Sequence, residues 1–256
     1  MMTPGTSDEA DVAARSRDWR RSALISICDV LKPWESGVVA RCNRYPNYYE
    51  FNVVQVRQDP AMDVPGLIDF ADRALAGLDH RRIDFERAES AGEMRAEFES
   101  RGWKSMSLLH MRYEGGGPAD AAATVEEVPY DAVHDLRVAW HEEDFPGVDA
   151  SAFFAFAREV ALARGARVLA VRDGGVAIAY AQIECSGEAA EVTAVYVHPD
   201  HRGHGLGTAL TSAAIRAAPP VRDLWITADD EDRPKQLYAR LGFRPVAREL
   251  QVLRLP

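Results

Sequence analysis

From residue 123 onward, apolar positions switch between a period of two and a period near 3.6, and each switch marks an element. ATVEEV, residues 123–128, predicts a short strand. In YDAVHDLRVAW, residues 130–140, Val133, Leu136 and Trp140 fall at helical spacing, and SAFFAFAREVALARG predicts a second helix that Gly165 is placed to cap. RVLAVRDGGVAIAYAQIEC reads as two strands joined at Asp173-Gly174, a hairpin-turn dipeptide. AAEVTAVYV is a further strand, reached through Ser186-Gly187. A glycine-rich loop and an alanine-rich helix follow in VYVHPDHRGHGLGTALTSAAIRAA, Val195–Ala218. The strand DLWIT, the helix RPKQLYARLG and two closing strands, FRPVAR and LQVLRL, complete the series. The predicted order is β-α-α-β-β-β-α-β-α-β-β, a mixed α/β domain.

The earlier half echoes this pattern. RRIDFERAESAGEMRAEFESRGWKSMSLLHMRY can be laid on RDLWITADDEDRPKQLYARLGFRPVARELQVLR with Gly102 on Gly242 and Trp103 on Phe243. FNVVQVRQDPAMDVPGLIDFADRAL falls on the glycine-loop region with Gly66 on Gly207, but Ala61, Met62 and Val64 stand for Arg202, Gly203 and Gly205. Between the halves, YEGGGPADAAAT has linker composition. The expected organisation is a degenerate domain over 1–115, a linker over 116–123 and a functional domain over 124–256. In the first half RCNRYPNYYEFNVV is unusually aromatic, with Tyr45, Tyr48, Tyr49 and Phe51, and is expected to be a buried strand with an interface role.

A length of 256 residues suits two domains of ordinary size, and 47% apolar residues supply their cores. The net charge of −10 argues against a nucleic-acid partner and weakly favours cationic ligands. Cys28, Cys42 and Cys185 form neither a disulfide framework nor a zinc pattern. The first 21 residues have no apolar core of signal-peptide type, and no run approaches the roughly 20 apolar residues of a membrane span. A cytoplasmic protein with no membrane partner, monomer or homodimer, is the expectation.

The loop after Val197 carries the chemistry. A strand feeding glycines and then a helix leaves backbone N–H groups free at the helix start, where the dipole also favours anions. Gly203, Gly205 and Gly207 let a phosphate approach the backbone, and Arg202 adds a guanidinium suited to a phosphate oxygen. A diphosphate is the expected ligand. One candidate is a dinucleotide, since Asp229 lies after the next strand as in dinucleotide folds. Against it, the spacing is G-x-G-x-G, and the loop comes late in its domain after an antiparallel hairpin. His198, His201 and His204 straddle a loop with no second ligand cluster, so no metal is expected.

Two segments together go further. Arg202-Gly203-His204-Gly205-Leu206-Gly207 resembles the R/Q-x-x-G-x-G/A signature of the GNAT superfamily of acyl-CoA-dependent N-acyltransferases, and LYARLGF, Leu237–Phe243, resembles that family's second marker. The resemblance covers residues 120–256 well and 1–115 as an echo, a tandem GNAT arrangement with one functional half. It implies two domains, each a mixed, mostly antiparallel sheet flanked by helices. Acetyl-CoA would be the cosubstrate and a small-molecule or peptide amine the acceptor. Many members carry Asn and Ala where this chain has Glu231 and Pro234, which puts one side-chain contact to the cofactor in doubt.

By that resemblance the diphosphate lies on the amides of Arg202, Gly203, His204, Gly205, Leu206, Gly207 and Thr208, and the pantetheine along Val195, Tyr196 and Val197, with an N–H near Val195 polarising the thioester. Tyr238 is the expected general acid; its counterpart Phe98 has no proton to give, in keeping with an inactive first half. Glu191 is the expected base, with Glu184 a weaker alternative. The segment HEEDFPGVD forms a wall of the acceptor site in the family, so His141, Glu142, Asp144 and Phe145, with Glu143 among its carboxylates, are expected to hold the acceptor. No cysteine or serine sits in a nucleophile motif, so direct transfer is expected. A non-catalytic acyl-CoA-binding regulator and a dinucleotide-dependent enzyme are the competing readings.

Overall fold

The computed structural model describes residues 5–116 and 123–255. The chain forms two compact units: the first takes Met1–His110 with Ala228–Asp232 and Val246–Pro256, the second Met111–Thr227 with Arg233–Pro245. Segments of the second half of the sequence thus belong to the first unit. Except for its end residues, the expected linker falls on 117–122, outside the described residues.

The first unit opens with α1 (Gly5–Ile27), a helix the apolar pattern does not reveal. Its buried stripe is Val12, Ser16, Trp19 and Ala23, and a serine inside the stripe blurs the period. Then come β1 (Val30–Trp34), β2 (Gly37–Arg41), β3 (Val53–Val56), α2 (Val64–Ala74), β4 (Arg81–Phe85), α3 (Gly92–Ser100) and β5 (Lys104–Tyr113). β1, β2 and β3 pair antiparallel, and β3 pairs β4 in parallel. The aromatic stretch before β3 is not a strand. Tyr45 and Tyr48 lie in turns and Tyr49–Phe51 forms a 3-10 turn, pinned by Asn52, whose Nδ2 donates to the carbonyls of Tyr45 (2.8 Å) and Tyr48 (3.0 Å). Tyrosines flanking a Pro-Asn turn favour that local bonding over a ladder.

The rest of the chain runs β6 (Glu126–Val128), α4 (His134–Asp144), α5 (Ser151–Ala163), β7 (Arg167–Asp173), β8 (Val176–Ser186), β9 (Ala189–Val197), α6 (Leu206–Ala217), β10 (Asp223–Asp229), α7 (Pro234–Arg240) and β11 (Phe243–Arg254), all in the second unit except the end of β10 from Ala228 and β11 from Val246. Strands β6 to β9 form an antiparallel meander, and β10 adds to β9 in parallel. Both hairpin turns hold glycine at positive φ, Gly174 (55°) and Gly175 (87°) between β7 and β8, and Gly187 (57°) between β8 and β9. Gly165 (64°) ends α5 as expected. Tyr180 and Tyr196 pack under α4 against Val133 and Leu136.

The two closing strands are in fact one, β11. The expected break at Glu249 does not occur because its buried carboxylate is held by Arg20 (3.1 Å) and His110 (3.4 Å). Leu250–Arg254 pairs antiparallel with Arg81–Phe85, and Leu250 and Val252 enter the first unit's core beside Val54, Ile83, Phe85 and Phe98. Each is worth about 1.5–3 kcal/mol of burial.

Candidate functional site

The site is built around β9. β8 follows β9 along its whole length, with a register irregularity that leaves Thr193 without an opposite residue between the pairs Gln182–Ala194 and Ile183–Val192. On the other edge, β10 pairs only from Asp223–Ala189 to Ile226–Val192. Beyond Val192 the two strands part, so Val195, Tyr196 and Val197 lie where β9 has left β10. An extended ligand chain fits such an edge by adding backbone hydrogen bonds.

After β9 the chain makes a 3-10 turn at Pro199–His201 and reaches α6 through two left-handed glycines, Gly203 (φ 83°) and Gly205 (φ 77°). Gly205 is the N-cap of α6; no side chain caps the helix and its first turn has no acidic residue. The amides of Leu206, Gly207 and Thr208 therefore open onto space that suits an anion. A Cβ on Gly203 would meet nothing within 4 Å. A Cβ on Gly207 would sit 3.4 Å from Leu237 Cδ1, so the start of α6 rests on α7. His204 Nδ1 lies 3.3 Å from the His201 carbonyl oxygen, and among the described residues no group of three metal-ligating side chains is present.

Arg202 is held by Glu143 and by the strand backbone. Nη2 donates to both Glu143 oxygens (3.0 and 2.8 Å), and Nε donates to the Val197 carbonyl (3.0 Å). Tyr196 Oη donates to the same carboxylate (2.5 Å), and the Tyr196 ring is stacked on Trp140 at 5.4 Å and 11°. Burial pushes the Glu143 carboxyl up, but the Tyr196 and Arg202 hydrogen bonds outweigh it and hold it below the ordinary range. Burial and the bond to Glu143 raise the Tyr196 phenol. Glu143 is thus tied to the strand and loop by Tyr196 and Arg202.

Glu191 is buried and accepts from Thr227 Oγ1 (2.9 Å). Its cross-strand neighbour Glu184 is ion-paired to Arg164 and accepts from Gln182 Nε2 (3.0 Å), which leaves it poorly placed as a base. Tyr238 is buried on α7, one residue after Leu237, with its ring edge-on to Phe243 at 6.3 Å. Glu142 accepts from the Gly147 N–H (2.9 Å), and Asp144 is exposed at the end of α4. His141 packs against Phe145 (5.2 Å) and Phe154 (5.6 Å). His141 and Glu142 line a cavity of about 540 Å³ between α4 and α5; Asp144 and Phe145 do not.

In the first unit the equivalent features are closed. Asp63 caps α2, its carboxylate accepting from the Gly66 N–H (2.9 Å), so a negative charge stands where an anion would sit. Phe98 is fully buried between Phe85 (6.1 Å) and Trp103 (5.3 Å).

The second unit is a mixed sheet whose central strands part beside an uncapped, glycine-led helix start. Residues 164–245 match the family described as acetyltransferase (GNAT) domain. Among solved structures, a functionally unknown conserved protein from Staphylococcus epidermidis ATCC 12228 is 13% identical with a TM-score of 0.65 over 88% of this chain and 94% of that one. A GCN5-related N-acetyltransferase from Kribbella flavida is 18% identical with a TM-score of 0.60, covering 94% and 95%. A tandem GNAT protein from the clavulanic acid biosynthesis pathway is 17% identical with a TM-score of 0.51, covering 92% and 87%. No curated protein matches the chain. The match to the GNAT domain family spans residues 164–245, and the fold of this mixed α/β chain is the GNAT fold. Among the described residues no helix is long and apolar enough to cross a membrane.

Proposed function

We propose that the second unit transfers an acetyl group from acetyl-CoA directly to a primary amine of a small molecule or peptide. The observation that carries this reading is the uncapped start of α6 behind two left-handed glycines, beside strands that part at Val192. The Leu206–Thr208 amides would hold the diphosphate, and the exposed edge of β9 would run along the pantetheine. An N–H of β9 near Val195 would face the thioester oxygen, where charge develops as the amine attacks.

Glu191 takes the proton that the ammonium form of the acceptor must lose, directly or through water. The amine nitrogen bonds to the carbonyl carbon, the carbon–sulfur bond breaks, Tyr238 protonates the departing sulfur, and the surplus proton on the new amide nitrogen returns to the Tyr238 phenolate. The products are an N-acetyl amide and the free thiol of CoA. Thermal unfolding with acetyl-CoA, CoA, NAD and NADP in turn tests the reading. A ligand at about a thousandfold its Kd adds about 4 kcal/mol. Stabilisation by the CoA compounds alone is expected, followed by amine-dependent CoA release. Stabilisation by NAD or NADP alone would overturn it.

A further inference from the structure

We propose that the acceptor amine also carries a carboxylate, and that Arg137 binds this group in the cavity between α4 and α5. The inference rests on the acetyl-transfer reading and names the substrate class of that site.

Arg137 lines the cavity of about 540 Å³, a volume within the roughly 300–1,000 Å³ of small-molecule sites. Its guanidinium is sandwiched between two aromatic faces, 4.0 Å from the Tyr130 ring and 4.7 Å from the Tyr180 ring. Nη2 donates to Gln182 Oε1 (2.9 Å), a neutral amide. Nε is buried without a hydrogen-bond partner, and Arg137 has no ion pair among the described residues. The nearby carboxylates have partners of their own: Asp131 pairs with Arg158 (2.8 Å), and Glu184 with Arg164 and Gln182.

A half-buried cation, fixed by stacking and without a direct ion pair, carries a desolvation cost that a bound anion relieves. A guanidinium fork suits a carboxylate, whose two oxygens can take two parallel N–H groups. The rest of the lining chooses between anions. Glu142 and Asp149 also face the cavity, as does Arg158 with its charge taken by Asp131, so a dianionic phosphate meets repulsion where a monoanion beside an ammonium does not. Phe154 offers an apolar wall for the part between the two charges.

The anchor is near the strand that serves the chemistry. Tyr180 is the direct antiparallel partner of Tyr196 on β9, their rings 6.1 Å apart, and Trp140, one helical turn beyond Arg137, stacks on Tyr196. In the transfer step the carboxylate is a spectator: the amine nitrogen gains the acetyl group, CoA leaves as the thiol, and the ammonium proton passes to the base. Arg137 is a positioning residue that sets which amine is chosen.

The test uses the full chain saturated with acetyl-CoA. Phenylacetate and phenethylamine are titrated while the Arg137 Nε–H resonance, assigned by its loss in Arg137→Lys, is followed by NMR. A saturable shift with phenylacetate but not with phenethylamine is expected; no saturable shift at tens of millimolar overturns the proposal. CoA release is then compared for L-phenylalanine against phenethylamine and for L-lysine against 1,5-diaminopentane. The carboxylated member of at least one pair should have a kcat/KM higher by about tenfold or more, and Arg137→Gln should erase that preference through KM while Arg137→Lys restores part of it. Equal use of both members, or a preference that survives Arg137→Gln, overturns it. Thermal stabilisation by acetyl-CoA reports on the transfer reading separately: a failure there is visible without any carboxylate present.

Discussion

Glu143, at the end of α4, takes both oxygens to the guanidinium of Arg202, at the mouth of the glycine loop, and Arg202 in turn holds the Val197 carbonyl (3.0 Å). One ion pair therefore ties α4 to the last residue of the strand that leads into the loop. Its partners are 50% and 37% exposed, so its worth is about 0.2–1 kcal/mol. The sign of its pH dependence follows from the depressed folded pKa. Glu143→Gln should cost stability above the ordinary carboxylate range, and the gap to the parent should close as pH falls through the folded pKa. Denaturant unfolding of both proteins across pH 3–8 would show it, and a gap that persists in acid would refute the assignment.

Gly205→Ala places a side chain at φ 77°. The left-handed conformation costs a non-glycine residue about 1–2 kcal/mol, and relaxing it would turn the α6 amides away from their common direction. Stability should drop by that amount in a denaturant melt, while CoA affinity, read by calorimetry, should fall by about tenfold or more. Unchanged affinity would separate the loop from the ligand.

Tyr238→Phe removes one hydroxyl from a buried ring and keeps the packing on Phe243. The expected result is a kcat lower by about a hundredfold, with thermal stabilisation by acetyl-CoA unaltered. A kcat within twofold of the parent would leave sulfur protonation to another group.

In the first unit, His80 is 1% exposed, with Nε2 2.9 Å from the Asn52 carbonyl oxygen and its ring on Tyr49 at 4.2 Å. Burial lowers its pKa to about 4. A base depressed on folding is fully stabilising above its unfolded value of about 6.5, and that contribution is lost as pH falls toward the folded value. The unit should weaken between those limits. A variant such as His80→Asn should start weaker at neutral pH and show a shallower acid slope; an unchanged slope would rule His80 out as the cause.

Leu250→Ala should cost about 2–5 kcal/mol, because Leu250 is buried beside Phe85 and Phe98. The loss should appear in hydrogen exchange of β3 and β4 amides, although the substituted residue lies far away in sequence. Exchange that changes only in α6 and β9 would contradict the packing described.

How much of this was legible in the residues depends on whether the cause is local. Gly165, the Gly174-Gly175 and Gly187 turns, and the Gly203/Gly205 approach to α6 are backbone effects, written in single glycines. Glu249 was not readable: a charged residue ends a strand by default, and its partners Arg20 and His110 lie far away in sequence. Glu143 was grouped with Glu142 and Asp144 as one acidic loop, but only the fold brings Tyr196 and Arg202 to it. Arg137 carried no motif at all, since its two aromatic faces come from separate elements.

The pairing of Ile83 with Val252 bears on how the chain is made. On a ribosome β4 emerges well before Leu250–Arg254, the segment that pairs with it, so through that interval β4 presents an open edge to whatever else is nearby.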